Sequence, residues 1–175
     1  MMYREATGND TEQIALLHTQ SWQRHYRGIL NDEFLDGDLG KNRLETWKSR
    51  LQHPNDRQYI ILAEEKAILC GFACVFADED PLWGALLDNL HVLAPWKGQG
   101  IGTKLLKLAA QWSYNYNPAT GFYLWVFTKN TRARRFYEGL GAVNQAVVLK
   151  ENPGGGSADT CRYVWTDVKK LLFDV

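Results

Sequence analysis

The stretch Ala94–Leu106, "APWKGQGIGTKLL", decides the fold, because it joins a strand-like run to a helical pattern through three glycines. The glycines alternate at Gly98, Gly100 and Gly102. The first N–H groups of a helix have no partner inside the helix, and the helix dipole adds positive charge there. Glycine also lets a ligand approach the backbone closely. This turn therefore predicts a site for a phosphate or diphosphate group.

Two common nucleotide-binding patterns do not fit this turn. A nucleotide P-loop needs Gly-Lys-Ser/Thr, whereas Gly102 is followed by Thr103 and Lys104. A dinucleotide fingerprint needs G-x-G-x-x-G early in the unit and an acidic residue about 20 positions later, and neither is present. A plain helix start with glycines for tight turning is the third interpretation. If a diphosphate binds, the N–H groups of residues 99–102 are its expected donors. Lys97 or Lys104 adds positive charge beside it; alternatively, these lysines lie on a solvated helix face.

Outward from the turn, strand-like and helical patterns alternate in both directions. Several neighbouring strands have hairpin-length connections, which argues against a wholly parallel sheet. The predicted fold class is α/β (α+β), with a mixed, largely antiparallel central sheet of about six to seven strands flanked by helices. The predicted strands cover residues 3–7, 58–65, 67–78, 85–92, 122–127, 146–151 and 160–165. The predicted helices cover residues 9–22, 32–37, 41–52, a segment from 101 through at least 112, and 131–141.

Three local features refine this prediction. Asp10, with Gln13 three residues later, is expected to cap the first helix. The apolar face of the helix after the glycine turn is expected to be Ile101, Leu105, Leu108 and Trp112. The stretch "NPGGGS", residues 152–157, is expected to form a hairpin loop inside the domain.

Length and composition indicate one globular domain over residues 1–175. Hydrophobic residues make up 45% and charged residues 23% of the chain, which is typical of a soluble protein. Twenty basic residues balance twenty acidic ones, so no global field favours nucleic acid or an anionic membrane as a partner. No run of apolar residues approaches the length of about 20 that a membrane-spanning helix needs, and the N-terminus lacks the pattern of a secretory signal. We therefore predict a cytoplasmic protein with no nucleic-acid or membrane partner.

The cysteine count is odd, at three. Cys70 and Cys74 can share one face of a strand, and Cys161 stands alone. Neither spacing is typical of a zinc site. We expect all three to be reduced and buried, and no metal to be bound.

The stretch Leu90–Leu106, "LHVLAPWKGQGIGTKLL", resembles the core motif of the GNAT acetyltransferase superfamily, in which Arg/Gln-x-x-Gly-x-Gly opens a helix. Lys97 stands here at the Arg/Gln position. A second stretch, Asn130–Ala142 or "NTRARRFYEGLGA", is similar to the downstream segment of the family, and "SWQRHYRGIL" at Ser21–Leu30 is similar to its first helix–loop segment. The resemblance covers most of the chain. It implies a GNAT-like fold that transfers acetyl from acetyl-CoA to an amine by direct attack.

The resemblance also implies a path for acetyl-CoA along the chain. The strand end at Val92 and Leu93 is expected to run beside the pantetheine arm, and a Val92 N–H to polarise the thioester oxygen. Asn130 is expected to bind the arm or, alternatively, to cap the next helix. The expected coenzyme contacts are Val92, Leu93, Lys97, Gly98, Gln99, Gly100, Ile101, Gly102, Thr103, Asn130, Arg134 and Tyr137.

The sequence indicates the catalytic acid more clearly than the catalytic base. Tyr137 matches the tyrosine that the family uses as general acid, and a phenol with a reference pKa of about 10 is protonated at neutral pH; alternatively it is a core aromatic. At two positions where family members carry a glutamate base, this chain has Leu86 and Trp125. Asp88 and His91 are the nearby alternatives, through water, and proton loss to bulk water is a third route.

The acceptor is expected to be a small-molecule or peptidyl amine. Trp22, His25 and Tyr26 can share one helical face and form an aromatic wall on which a cation could sit, or they can pack in the core. Glu79, Asp80 and Trp83 lie in a loop that could border the pocket, where the two acidic residues would attract a cationic acceptor. The seven tryptophans are compatible with an apolar surface for dimerisation, so both monomer and homodimer stay open.

Two rival interpretations of the glycine turn and the cysteines stay open. A coenzyme A-binding sensor without turnover would keep the same glycine turn. A covalent mechanism would use Cys70 or Cys74 as acetyl carrier, but an apolar strand raises the pKa of a thiol and lowers its reactivity.

Overall fold

The computed structural model describes residues 1–173 and shows seven strands and six α-helices in that range. The mixed, largely antiparallel sheet flanked by helices is confirmed. Short 3₁₀ turns precede the first and fourth helices, at Gly8–Asp10 and Ala94–Trp96. In chain order the elements are β1 (Met2–Glu5), α1 (Thr11–His25), α2 (Asp32–Asp36), α3 (Leu39–Gln52), β2 (Gln58–Glu65), β3 (Ile68–Asp80), β4 (Gly84–Val92), α4 (Ile101–Tyr116), β5 (Phe122–Phe127), α5 (Thr131–Gly139), β6 (Val143–Glu151), β7 (Ser157–Trp165) and α6 (Lys169–Leu172).

The sheet has the order β1-β2-β3-β4-β5-β7-β6 and contains a single parallel pair, β4 with β5. That parallel pairing covers only Ala85–Leu87 against Phe122–Leu124. Beyond it, the ends of β4 and β5 are not paired with each other, and a gap opens within the sheet. A bulge lies at this point, since Val75 pairs with Leu87 but Cys74 with Asn89, which leaves Asp88 unmatched.

Two apolar layers cover the two faces of the sheet. Successive residues of a strand point to opposite faces, and along β3 Ala73 and Val75 pack with α4, whereas Phe72 and Cys74 pack with α1 and α3. The gap between β4 and β5 therefore has α4 on one face and α1 with α3 on the other. The predicted apolar face of α4 needs a correction: Leu105, Leu106, Ala109 and Ala110 are fully buried, and Leu108 and Trp112 lie at the edge of the layer.

Asp10 does not cap α1 as expected. Its Oδ2 accepts hydrogen bonds from the Thr7 N–H at 2.7 Å and the Thr7 hydroxyl at 3.0 Å, so it closes the preceding 3₁₀ turn. Arg4 pairs with both Asp10 and Glu64, at 2.7 and 2.6 Å. Hydrogen bonds from Arg4 lower the pKa of Asp10 to about 2. This network fixes the start of α1 against β1 and β2.

The remaining expectations concern cysteines, loops and membrane spans. Cys70, Cys74 and Cys161 are buried and free, as expected. The hairpin loop also lies where it was expected, between the end of β6 and the start of β7. Across the described residues, no helix has the length and apolar character needed to cross a bilayer.

Candidate active site

A cavity of about 800 Å³ occupies the gap between β4 and β5. It extends from the glycine turn before α4 to the side chains of α1 and α3. Most of the residues predicted from the sequence line it, namely Trp22, His25, Tyr26, Asp88, His91, Val92, Lys97, Gly98, Gly100, Ile101, Gly102, Thr103, Asn130 and Tyr137. Leu93, Gln99 and Arg134 are not among its lining residues.

The glycine turn leaves its backbone donors free. Gly100 is the N-cap of α4 in the left-handed region, at φ 77°, and the first helical hydrogen bond runs from Lys104 N–H to Gly100 O at 2.9 Å. The N–H groups of Ile101, Gly102 and Thr103 therefore have no partner inside the helix. A Cβ built on Gly100 would meet no atom within 4 Å, so space is open beside the turn. These features fit a phosphate or diphosphate group.

Lys97 joins this turn to α1. Its Nζ lies 2.7 Å from His25 Nε2, and His25 Nδ1 lies 2.7 Å from the Ser21 carbonyl oxygen. A carbonyl only accepts, so Nδ1 carries the proton and Nε2 accepts from the Lys97 ammonium. Burial lowers the pKa of both His25 and Lys97, and for Lys97 the nearby Arg132, which also lines the cavity, lowers the pKa further. An anionic ligand at the turn would relieve this crowding of positive charge.

The end of β4 presents one free backbone donor to the gap. Leu93 N–H donates to Cys70 O at 2.8 Å across the β3–β4 pair, in which Gly71 lies opposite Val92. Neighbouring residues of a strand direct their N–H groups to opposite sides, so the Val92 N–H points away from β3 and towards the gap. Leu93 has both backbone groups occupied, because its carbonyl accepts from Trp96 N–H at 3.0 Å. Val92, and not Leu93, can therefore offer its N–H to a ligand.

Asn130 performs the capping role and still lines the cavity. Its Oδ1 accepts from Ala133 N–H at 3.2 Å and caps α5, which leaves the amide nitrogen as a donor. Arg134 is directed elsewhere. Its Nε donates to the Tyr163 hydroxyl at 3.1 Å and its Nη1 to Thr128 O at 3.2 Å, so the geometry gives no support for Arg134 as a coenzyme contact.

Tyr137 is at once a core aromatic and a cavity residue. Its ring contacts Phe136 and Trp165 edge-on, at centroid distances of 5.2 and 6.2 Å. Burial raises the pKa of its hydroxyl well above the ordinary value. Within residues 1–173 that hydroxyl has no hydrogen-bond partner, and Tyr137 lines the cavity. It therefore keeps its proton at neutral pH and is free to donate it into the cavity.

The two candidate bases differ in their surroundings. Asp88 Oδ2 accepts from Arg50 Nη1 at 2.8 Å, which leaves Oδ1 outside this ion pair. His91 Nδ1 lies 2.8 Å from Ser21 Oγ. Burial, followed by the charges of His25, Lys97 and Arg43, lowers the pKa of His91 to about 3. His91 is therefore neutral at physiological pH and a weak base.

The acceptor end of the cavity differs from the sequence expectation. The cation over the Trp22 ring is the guanidinium of Arg43, 4.4 Å from the ring centroid, so that face of Trp22 is already covered. Tyr26 packs edge-on against Phe127 at 5.0 Å, and burial raises the pKa of Tyr26 to about 12. Lys150 of β6 lies over a second indole ring, 3.4 Å from the Trp125 centroid. Sequence reasoning missed Arg43, Thr46 and Arg50 of α3, Arg132 of α5 and Lys150 of β6, which all line the cavity.

Glu79 and Asp80, which the sequence placed in a loop, are the last two residues of β3 and lie outside the cavity. Asp80 Oδ1 accepts from the backbone N–H groups of Leu82 and Trp83, at 2.8 and 3.0 Å, and so closes its own turn. Neither Glu79 nor Asp80 lines the cavity. The charged lining is instead mainly basic, with Arg43, Arg50, Lys97, Arg132 and Lys150 against Asp88 and Glu151. In the part of the chain that the structure describes, no cluster of three or more His, Cys, Asp or Glu side chains could hold a metal.

Comparisons with known proteins agree with this geometry. Residues 19–142 match the family described as Acetyltransferase (GNAT) family. An uncharacterized N-acetyltransferase of Archaeoglobus fulgidus is 28% identical over 166 residues, which cover 90% of this chain and 99% of the relative. The PaiA N-acetyltransferase of Thermoplasma acidophilum, solved with coenzyme A, has a TM-score of 0.68 at 19% identity, covering 94% of this chain and 98% of that one. A SpeG spermidine N-acetyltransferase variant of Vibrio cholerae has a TM-score of 0.69 at 18% identity, covering 97% and 95%. The two solved structures share the fold of this chain.

Proposed function

The chain belongs to the acetyltransferase (GNAT) family, and we propose that it transfers an acetyl group from acetyl-CoA to the primary amine of a small molecule or peptide by direct attack. The observation that carries this proposal is the continuity of the cavity. The glycine turn, the Val92 backbone and the Tyr137 side chain line one space whose other end meets α1 and α3. A donor and an acceptor bound at the two ends would meet inside the sheet.

The residues present fit acetyl-CoA, which would supply the activated acetyl thioester. The unpaired N–H groups of Ile101, Gly102 and Thr103 would bind the diphosphate. Lys97 and Arg132 would add positive charge beside it. Further along the gap, the Val92 N–H and the Asn130 amide nitrogen would orient the pantetheine arm and polarise the carbonyl group to be attacked.

Tyr137 would act as the general acid. As the acceptor nitrogen bonds to the carbonyl carbon and the carbon–sulfur bond breaks, the Tyr137 hydroxyl would protonate the departing sulfur. The raised pKa of Tyr137 keeps the hydroxyl protonated before the reaction. Its unpartnered hydroxyl is free to turn to the sulfur.

Proton removal from the incoming ammonium would involve Asp88. Its Oδ1 lies outside the ion pair with Arg50 and can accept a proton through water. His91 is the alternative base, but burial lowers its pKa to about 3 and its Nδ1 is already in contact with Ser21 Oγ. Release of the proton directly to solvent is the second route.

The covalent alternative finds no support in the geometry. Neither Cys70 nor Cys74 lines the cavity, and burial raises the pKa of Cys74 to about 12. A thiol with so high a pKa is almost fully protonated at neutral pH and is a poor nucleophile.

Thiol release from acetyl-CoA over a panel of amines, with mass spectrometry of the products, tests the proposal. Tyr137→Phe should slow the chemical step about 10²-fold or more and leave coenzyme affinity unchanged. Tyr116→Phe, at a half-exposed tyrosine outside the cavity, is the matched control. An unchanged single-turnover rate for Tyr137→Phe would remove Tyr137 from this role, and tight coenzyme binding without acetylation of any amine would favour a non-catalytic sensor.

A further inference from the structure

Arg43 is a cation in the cavity without an anionic partner. Its Nε donates to Asn42 Oδ1 at 3.1 Å, and its Nη2 contacts the same oxygen. Across residues 1–173, no carboxylate lies within 4 Å of its nitrogens, and its Nη1 makes no hydrogen bond. Stacking on Trp22 holds the guanidinium group in place at the acceptor end. Its Nη1 is therefore a free donor beside Trp22, among the residues that line the cavity.

Arg50, two turns further along α3, has the anionic partner that Arg43 lacks. Arg50 Nη1 lies 2.8 Å from Asp88 Oδ2 and 3.0 Å from Asn89 Oδ1. Asp88 is thus already paired, and its charge compensates Arg50. A partly buried charge without a partner is costly. Burial, together with the nearby Arg50 and only partly offset by Asp88, lowers the pKa of Arg43 to about 10. An anion bound at Arg43 would remove this cost.

The chemistry of the site selects the kind of anion. A guanidinium group offers a planar fork of donors that matches a carboxylate, and one guanidinium balances one negative charge. Trp22 lies against the Arg43 guanidinium and packs on Tyr26, which in turn packs on Phe127. All three rings line the cavity and suit an apolar or aromatic side chain. The acceptor must also carry the amine that is acetylated.

We propose that Arg43 binds the carboxylate of the acceptor, and that the acceptor is an amino acid with an apolar side chain. This inference rests on the proposed acetyl transfer and deepens it. The carboxylate holds one end of the acceptor against α3, and the amine then lies on the Asp88 side of the cavity. The acceptor that the cavity selects is therefore a zwitterion, and not a polycation.

Matched pairs of acceptors test this proposal. L-leucine, L-leucinamide and 3-methylbutylamine share a side chain and differ in the carboxylate, and pairs built on methionine and phenylalanine extend the series. We expect kcat/KM for each amino acid to exceed that of its amide about 10-fold or more. In Arg43→Gln, kcat/KM for the amino acids should fall about 10- to 100-fold, mainly through KM, because hydrogen bonds to a charged group are lost. In the same variant, kcat/KM for the amides should change less than about two-fold.

Three variants and one binding measurement make the test specific. Arg57→Gln removes an exposed arginine outside the cavity and is the matched control. Arg43→Lys keeps the charge without the fork, so it should lie between wild type and Arg43→Gln, and it decides the matter if Arg43→Gln does not fold. Calorimetry of N-acetyl-L-leucine and N-acetyl-L-leucinamide on the coenzyme A-saturated protein measures the same preference without turnover.

The outcomes separate this inference from the proposed function. Amides acetylated as well as amino acids, or an amino-acid preference that survives in Arg43→Gln, would overturn the carboxylate anchor and leave acetyl transfer standing. A preference for O-phosphoethanolamine over the amino acids would also overturn it. If coenzyme A binds but no amine is acetylated, the transferase proposal fails, and tighter binding of N-acetyl-L-leucine than of its amide in wild type alone would still support the anchor.

Discussion

At the scale of single residues, His91 illustrates how the surroundings decide the chemistry of a side chain. The sequence places it one residue before the strand-ending Val92 and makes it a candidate base. In the fold its ring lies 4.6 Å from the ring of His18, its Nδ1 contacts Ser21 Oγ, and the charged or basic groups of His25, Lys97 and Arg43 act on it. Burial together with these neighbours favours the neutral form.

The lowered pKa of His91 predicts how stability depends on pH. The unfolded chain takes up a proton at His91 near pH 6.5, whereas the folded chain does so only near pH 3. The contribution of His91 is therefore fully present above about pH 6.5 and is lost progressively as the pH falls towards 3. Between pH 7 and pH 5 the loss is at most about 2 kcal/mol, or about 4–8 °C in Tm for a chain of this size.

His91→Gln should reduce the fall in Tm between pH 7 and pH 5, measured by circular dichroism. His18 and His25 also have lowered pKa values and keep part of the slope in the variant. Asp10 does not interfere, because its contribution is lost only as the pH falls from about 4 towards 2. The same loss of Tm in wild type and variant would show that His91 is not held neutral by the fold. His53→Gln, at an exposed histidine outside the cavity, is the control.

Single residues also mark where sequence reasoning ends. The roles of the glycines depend on local backbone geometry and could be predicted, as could the cap at Asn130. The cation over Trp22 could not be identified as Arg43, because the two residues lie 21 positions apart on different helices. Thr46 and Arg50 share a helical face with Arg43, but nothing in the sequence indicates what that face meets.

At the scale of elements, the turn into α4 is the part of the site that the sequence predicts best. Its helix dipole, free N–H groups and glycines are all local properties. We expect Gly100→Ala to weaken coenzyme A binding, because a non-glycine residue at φ 77° costs about 1–2 kcal/mol and the turn can relieve this strain by leaving the conformation that directs its N–H groups to the ligand. Gly100→Glu should weaken binding further, by at least about 10-fold in Kd, because it adds a negative charge beside the diphosphate.

Isothermal titration calorimetry on folded variants measures both effects. Gly8→Glu is the control, since a Cβ at Gly8 meets no atom within 4 Å and the residue lies outside the cavity. Undiminished affinity in Gly100→Glu would move the diphosphate site away from the turn.

Some features of the strands follow from their own sequence, and others depend on the strands beside them. The bounds of β2 and β5 agree with the prediction, because apolar runs with clear ends determine them. The bulge at Asp88 and the early end of the β4–β5 pairing depend on partner strands. These two features open the gap that becomes the cavity, so its existence could be expected only from the family resemblance.

At the scale of the whole molecule, the cavity divides the sheet into two parts. One contains β1 to β4, and the other contains β5, β7 and β6. Three residue pairs between β4 and β5 join them within the sheet. The proposed coenzyme contacts lie on both parts, with Val92 and the glycine turn on one side and Asn130 and Tyr137 on the other. A ligand that contacts both parts therefore adds interactions across the short β4–β5 pairing.

Coenzyme A binding should therefore raise the Tm of the whole chain in one cooperative transition. At 100 times its Kd, a ligand that binds only the folded state adds about 2.7 kcal/mol, which corresponds to about 5–11 °C for a chain of this size. Pantetheine at the same concentration lacks the diphosphate and should give a much smaller shift, and Gly100→Glu should lose most of the shift with coenzyme A. Equal shifts from coenzyme A and pantetheine would mean that the glycine turn contributes little to binding, because the two ligands share only the arm that lies between β4 and β5.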